Sequence, residues 1–331
     1  MHEMTPGKLA GMNAVADAGG AIRCAAMDQR GSLKKALSKG IGCDPGDITD
    51  QQMSEFKAAV IRVLSPHATG VLLDPEWGLQ GAGQRADGCG LLMAYEKSGY
   101  DNTEGGRIPI LLPDWTVRQS VAEGADCIKL LIYYNPFADG WVNDFKHTIV
   151  ERLGAECAFH DRPFFLEFVG YPLEEGDALE YARQKPEIVA GSMAEFSRDR
   201  YNVDVLKVEI PVDLKFTSGT ESFQGGEAAY SLEEAKELYH KAAAAAKRPF
   251  IYLSAGVTDA QFRESLHVAV DSGVHFSGVL CGRATWQDGI PAYCEHGVGA
   301  LEEWLAGRGV DNIKELNQIL QGAKSWREFG G

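Results

Sequence analysis

Val203-Asp204-Val205-Leu206-Lys207-Val208-Glu209-Ile210-Pro211-Val212 is an apolar, β-branched run with a lysine at its centre. Its composition is that of a buried strand. Side chains alternate across a strand, which puts Val203, Val205, Lys207 and Glu209 on one face and Leu206, Val208 and Ile210 on the other. An enclosed ammonium needs a partner or a task, because desolvation disfavours its charged form. On this strand alone two readings stand: a lysine paired with Glu209 or a neighbouring acid, and a neutral amine that acts as a nucleophile.

Working outward, this run is the sixth of eight. The others cover residues 21–27, 70–76, 90–97, 127–134, 163–169, 250–256 and 276–283. Helical patterns lie between them. Thr49-x-x-Gln52 is a capping box before Met53, Phe56, Val60, Val63 and Leu64, and Ser231-x-x-Glu234 and Thr258-x-x-Gln261 open two later helices. Asp114 reads as the cap of a helix reaching Gly124, and further helical stretches fall at 142–153, 177–184, 187–198, near Ala300 and at 313–320. The Ser/Gly-rich residues 217–226 are long enough for a mobile cover. Even alternation of eight strands with helices, with no G-x-G-x-x-G after the first, predicts an α/β fold: a closed (β/α)8 TIM barrel rather than an open doubly wound sheet. One barrel domain is expected over 1–331, with its core at about 20–290 and a C-terminal helical extension at about 291–325.

Composition narrows the functions. The longest apolar runs fall short of a membrane span, and the N-terminal residues lack the charged-then-apolar order of a secretory signal. The expected location is the cytoplasm. Seven scattered cysteines without a C-x-x-C pair read as reduced core residues. A net charge of −15 argues against a nucleic-acid or anionic-membrane surface, so any anionic ligand must meet locally gathered positive charge.

In such a barrel the site lies where the strands end. The polar residues there are Asp28, Glu76, Glu96, Lys129, Glu167, Lys207, Ser254 and Arg283. Strands four to six are neighbours, which brings Lys129, Glu167 and Lys207 within reach of one another. A carboxylate between two amines can accept, hold and return protons, which suits iminium chemistry; an internal Lys-Glu-Lys salt-bridge cluster is the other reading. After strands seven and eight, Ser254, Gly256, Gly282 and Arg283 combine a hydroxyl, two close backbone approaches and a guanidinium, the makings of a phosphate site or of plain turns. The eight histidines show no metal-ligand spacing, so no metal is expected and no cofactor is called for. Asp74 and Glu76 read as a loop-stabilising turn rather than a cation site.

Asp28-Gln29-Arg30-Gly31, Leu72-Leu73-Asp74-Pro75-Glu76-Trp77-Gly78, Ala94-Tyr95-Glu96-Lys97-Ser98-Gly99-Tyr100, Ala125-Asp126-Cys127-Ile128-Lys129, Phe164-Phe165-Leu166-Glu167, Asp204-Val205-Leu206-Lys207-Val208-Glu209, Tyr252-Leu253-Ser254-Ala255-Gly256-Val257 and Gly278-Val279-Leu280-Cys281-Gly282-Arg283-Ala284-Thr285-Trp286 resemble, in order and spacing, the class I tagatose 1,6-bisphosphate aldolases. The resemblance implies that Lys207 forms a Schiff base with a ketose carbonyl, that Glu167 shuttles protons with Lys129 beside it, and that Asp28 orients substrate hydroxyls. It also implies that Ser254, Gly256, Gly282 and Arg283 hold one phosphate and that Gln29 and Arg30 lie near the other. The expected partner is a small sugar bisphosphate, without nucleic acid or membrane. The Trp77 position and loops 40–46 and 217–226 match the family pattern least, and those loops are the places where substrate choice would change. A related aldolase for sulfofructose phosphate and a phosphosugar-sensing regulator on the same barrel are the alternatives. Apolar positions in the C-terminal helices fit a homodimer contact or a cover for the barrel, and a homodimer is the expected assembly.

Overall fold

The apolar runs form eight parallel strands: β1 Ile22–Met27, β2 Gly70–Leu73, β3 Gly90–Ala94, β4 Cys127–Tyr133, β5 Phe164–Val169, β6 Val205–Glu209, β7 Phe250–Leu253 and β8 Gly278–Cys281. Each pairs with its neighbour in sequence, and β8 pairs with β1 to close the barrel. The computed structural model describes residues 4–102, 106–174 and 176–329. Strand alternation divides the apolar residues into two layers. Cys24, Ala26, Leu72, Leu92, Cys127, Phe165, Val205, Ile251 and Leu280 fill the barrel interior, while Leu130, Leu166, Leu206, Val208 and Tyr252 face the surrounding helices. Lys129, Glu167 and Lys207 each lie two residues beyond an interior residue, namely Cys127, Phe165 and Val205, so the pleat aims all three inward.

The floor of the barrel is closed by parts of the chain that the strand pattern does not reveal. Helix Pro6–Ala14 runs beneath it, and Met12 and Val15 join the interior cluster together with Trp326 from the C-terminal tail. Lys8 of that helix is paired with Asp204 at 2.7 Å, just below β6.

The three capping boxes form as read, at Thr49, Ser231 and Thr258. Several boundaries differ. The helix after residue 114 is capped by Thr116, which accepts from Gln119 N, and not by Asp114. The stretches read as two helices at 177–184 and 187–198 are one helix, Ala178–Phe196, that runs through Pro186. A proline forfeits one backbone hydrogen bond there. The helix persists because Ala182, Pro186, Val189, Met193 and Phe196 lie at helical spacing and are all buried. Helix Gly31–Ile41 escapes the sequence pattern because it starts on a glycine directly after the polar strand end and buries only Leu33, Leu37 and Ser38. In the C-terminal helices Val310, Ile313, Leu316 and Leu320 are buried, so these apolar positions cover the barrel. Among the described residues no helix is long and apolar enough to cross a membrane.

Candidate active site

Parallel registers set the depth of each polar residue at the mouth. Glu167 of β5 is level with Lys207 of β6, whereas Lys129 of β4 is level with Phe165, one pleat deeper. Lys129 therefore reaches up from below. Its ammonium donates to Asp28 and to Glu96, both at 2.9 Å, and lies 2.8 Å from Glu167 Oε2. The same Oε2 lies 2.8 Å from Lys207 Nζ. Glu167 thus bridges the two lysines.

The two amines differ in their surroundings. Lys129 is 0% exposed and is enclosed by three carboxylates. Among the described residues Lys207 has one carboxylate contact, and it faces a cavity of about 360 Å³ that it lines with Asp28, Glu167, Tyr133, Ser254 and Arg283. Burial works against the Lys129 ammonium, but Asp28, Glu167 and Glu96 outweigh it and hold its proton far more tightly than a free lysine would. The converse holds for the acids. Burial would raise the Asp28 and Glu167 carboxyls, yet Lys129 and Lys207 overcome it and keep both below the usual carboxylate range.

Two loop edges complete the mouth. After β7, Ala255 and Gly256 are both left-handed, with φ of 47° and 80°. The Arg283 guanidinium lies so close to Gly256 that a Cβ there would meet Nη2 at 2.5 Å. Gly282 plays the same part for Gln29, whose Nε2 lies 2.7 Å from where a Cβ would stand. Ser254, Gly256, Gly282 and Arg283 therefore share one side of the cavity, and Gln29 joins them. Arg30 is held differently. It is buried between Glu76, at 2.9 Å, and Glu96, at 3.6 Å.

Asp74 makes the turn that its spacing suggests, accepting from Glu76 N at 3.1 Å and Trp77 N at 2.9 Å. Its other oxygen meets Lys57, a wholly buried residue of helix Asp50–Leu64, at 2.5 Å. Burial pushes the Lys57 amine down, against the pull of Asp74.

Sequence reasoning missed the far wall of the cavity. Residues 96–101 leave β3 as one strand of a hairpin, Glu96–Asp101 with Ile108–Leu111, which brings Lys97, Ser98 and Gly99 to the mouth beside Ser32. The hairpin is anchored where Arg107 lies against the rings of Tyr100, Tyr133 and Tyr171. No side-chain spacing announced it, although Glu96 and Tyr133 were both visible at strand ends. Loops 40–46 and 217–226 do not line this cavity. The second, expected to be a mobile cover, is tied down instead: Thr217–Ser218 bridges Tyr230–Ser231, and Glu264 accepts from Ser222 N at 3.0 Å. Neither loop is positioned to choose the substrate.

Residues 22–288 match the model of the DeoC/LacD family aldolases. The chain is 46% identical over 329 residues to tagatose 1,6-diphosphate aldolase 2 of Enterococcus faecalis, covering 98% of this chain and 97% of that protein. It is 42% identical to the tagatose 1,6-diphosphate aldolase of Streptococcus pneumoniae, covering 98% of this chain and 99% of the relative. In three dimensions it resembles fructose-bisphosphate aldolase from Plasmodium falciparum, with a TM-score of 0.67 at 12% identity over 95% of this chain and 94% of that one, a likeness of fold alone.

Proposed function

The chain belongs to the DeoC/LacD aldolase family, and from that premise we propose that it cleaves D-tagatose 1,6-bisphosphate to dihydroxyacetone phosphate and glyceraldehyde 3-phosphate through a Schiff base on Lys207. The observation that carries the reading is the unequal treatment of the two lysines. Lys207 faces the cavity with a single carboxylate 2.8 Å away, while Lys129 is spent on three. A lysine whose proton is held that tightly stays an ammonium, so the nucleophile is Lys207.

In this mechanism Glu167, kept ionised by its two cationic neighbours, takes a proton from Lys207 and frees the amine. The amine attacks C2 of the ketose. Glu167 returns the proton to the departing hydroxyl, which leaves as water, and the iminium that forms draws electrons from the C3–C4 bond. Glu167, a carboxylate again, takes the C4 hydroxyl proton as that bond breaks and holds it for return to C3. Glyceraldehyde 3-phosphate departs, the enamine is protonated at C3, and water hydrolyses the iminium to release dihydroxyacetone phosphate and regenerate Lys207. Asp28 orients substrate hydroxyls. Lys129 acts through the acids it touches, holding Asp28 and Glu167 ionised and in place. Ser254, Gly256, Gly282 and Arg283 bind one phosphate with Gln29 beside them, and Arg30 lies by the other.

Borohydride reduction in the presence of tagatose 1,6-bisphosphate is expected to leave a covalent adduct that peptide mapping assigns to Lys207. An unmodified chain, or an adduct on Lys129, rejects the assignment. The reading takes 1–331 as one catalytic domain, which the matched span and the buried C-terminal helices support. It includes a homodimer, supported by exposed Phe137, Trp141 and Phe145, the last two stacked at 6.1 Å. Sedimentation as a monomer at micromolar concentration would remove that part.

A further inference from the structure

Lys57 has no place in the mechanism above, yet it sits directly beneath it. Its ammonium donates to Met27 O at 2.8 Å and to Gln29 O at 2.7 Å, the carbonyls on either side of Asp28, and to Asp74 Oδ2 at 2.5 Å. The first tie fixes the peptide plane that leads into Asp28 and the second fixes the plane that leaves Gln29, so the pair clamps the short segment between them and restricts the direction in which the Asp28 side chain leaves the backbone. For Asp28 that direction leads to Lys129, 2.9 Å away. The third tie extends the constraint to the next loop. Asp74 Oδ1 holds the amides of Glu76 and Trp77, and Glu76 in turn pairs with Arg30 at 2.9 Å.

We propose that Lys57 is a positioning residue for the cleavage reaction: a buried ammonium that fixes the backbone around Asp28 and, through Asp74 and Glu76, the setting of Arg30. The inference rests on the aldolase reading. It follows from the placement of the donors. A lysine that served only to neutralise Asp74 would have no need of carbonyls at the end of β1, and helix Asp50–Leu64 could carry an apolar residue into the same space. A site that must hold its groups to within a fraction of an ångström needs such support, since a displacement of about 1 Å can cost about a hundredfold in rate.

Lys57→Met alone strands the buried Asp74 carboxylate and invites unfolding. The informative protein is Lys57→Met with Asp74→Asn, which removes both charges while the amide oxygen can still accept from Glu76 N and Trp77 N. Its kcat/KM for tagatose 1,6-bisphosphate is expected to fall about a hundredfold, with the circular dichroism spectrum and cooperative melt retained. A second measurement separates positioning from packing. If Lys57 acts through Asp28, adding the pair to Asp28→Asn costs little more, about threefold or less, because the residue it orients is already disabled. Effects that multiply, or a folded pair variant with wild-type kcat/KM, overturn the proposal. The wild-type borohydride adduct is measured alongside. Its absence from Lys207 sinks the aldolase reading and this inference with it, whereas an adduct together with multiplying effects sinks the positioning role alone.

Discussion

Two buried lysine–carboxylate pairs lie within four residues of one another along β6, at opposite ends of the barrel. On the floor, Asp204 meets Lys8 at 2.7 Å, and its Oδ2 accepts from Phe164 N at 2.8 Å. At the mouth, Lys207 meets Glu167 at 2.8 Å. Residue types, distances and burial are nearly the same. The surroundings are not. The floor pair is capped by helix Pro6–Ala14, while the mouth pair opens on the cavity and has a second ammonium behind it. A buried ion pair is thus no mark of chemistry by itself; access and a shared proton partner make it one.

Electrostatics separates the ends further. Lys129 and Lys207 overcome burial at Glu167 and Asp28, whereas at Asp204 burial prevails over Lys8 and the weaker pull of Arg248 and pushes the carboxyl up. The largest expected effect therefore belongs to the mouth. Glu167→Gln keeps the shape but cannot take a proton from Lys207, and it leaves two ammonium groups facing each other across a neutral amide. Cleavage is expected to slow on the order of 10²–10⁴-fold, the range for loss of a general acid–base group, in kcat more than in KM. Wild-type turnover by this variant would reduce the mouth to the status of the floor.

The contrast also marks what could be read from the chain. Strand count, the inward parity of Lys129, Glu167 and Lys207, and the three capping boxes were legible because period-two alternation and capping are local rules. Depth was not. That Lys129 lies one pleat below Glu167 depends on the β4–β5 register, which no single strand specifies. The hairpin wall with Lys97 and Ser98 was hidden because Glu96 and Lys97 read as the polar end of β3 and the residues after them, lacking an apolar alternation, read as loop. Helix Ala178–Phe196 runs through Pro186 because tertiary burial overrides propensity there. Lys57 was not singled out in the sequence, although it stands four residues after Met53 and three before Val60 on the buried face of its helix, and only the folded chain puts the β1 carbonyls at its tip.

Lys8→Met probes the other end and is the smaller effect for function. Removing one partner of a buried pair costs about 3–5 kcal/mol at pH 7, but kcat/KM of the folded enzyme should stay near wild type, since nothing at the floor touches the cavity. The pH dependence carries the sharper test. Asp204 has its folded pKa raised, so the folded protein holds that proton more tightly than the unfolded chain does, and ionising it costs stability as pH rises through its titration. With Lys8 gone, a protonated Asp204 needs no counter-charge, and the variant's deficit should narrow on acidification from pH 7 towards about pH 4, the unfolded carboxylate value. Asp28 and Glu167 run the other way. Their depressed folded pKa values contribute stability that is present above about pH 4 and lost as pH falls further through the folded values. Thermal melts of the wild type, Lys8→Met and Glu167→Gln from pH 7 to well below pH 4 should show the first two curves converging as pH 4 is approached, while Glu167→Gln, relieved of one depressed carboxylate, loses less than the wild type on further acidification. If the Lys8→Met deficit instead widens on acidification, the folded protein holds the Asp204 proton less tightly than the unfolded chain does, and the electrostatic distinction between the two ends of β6 fails.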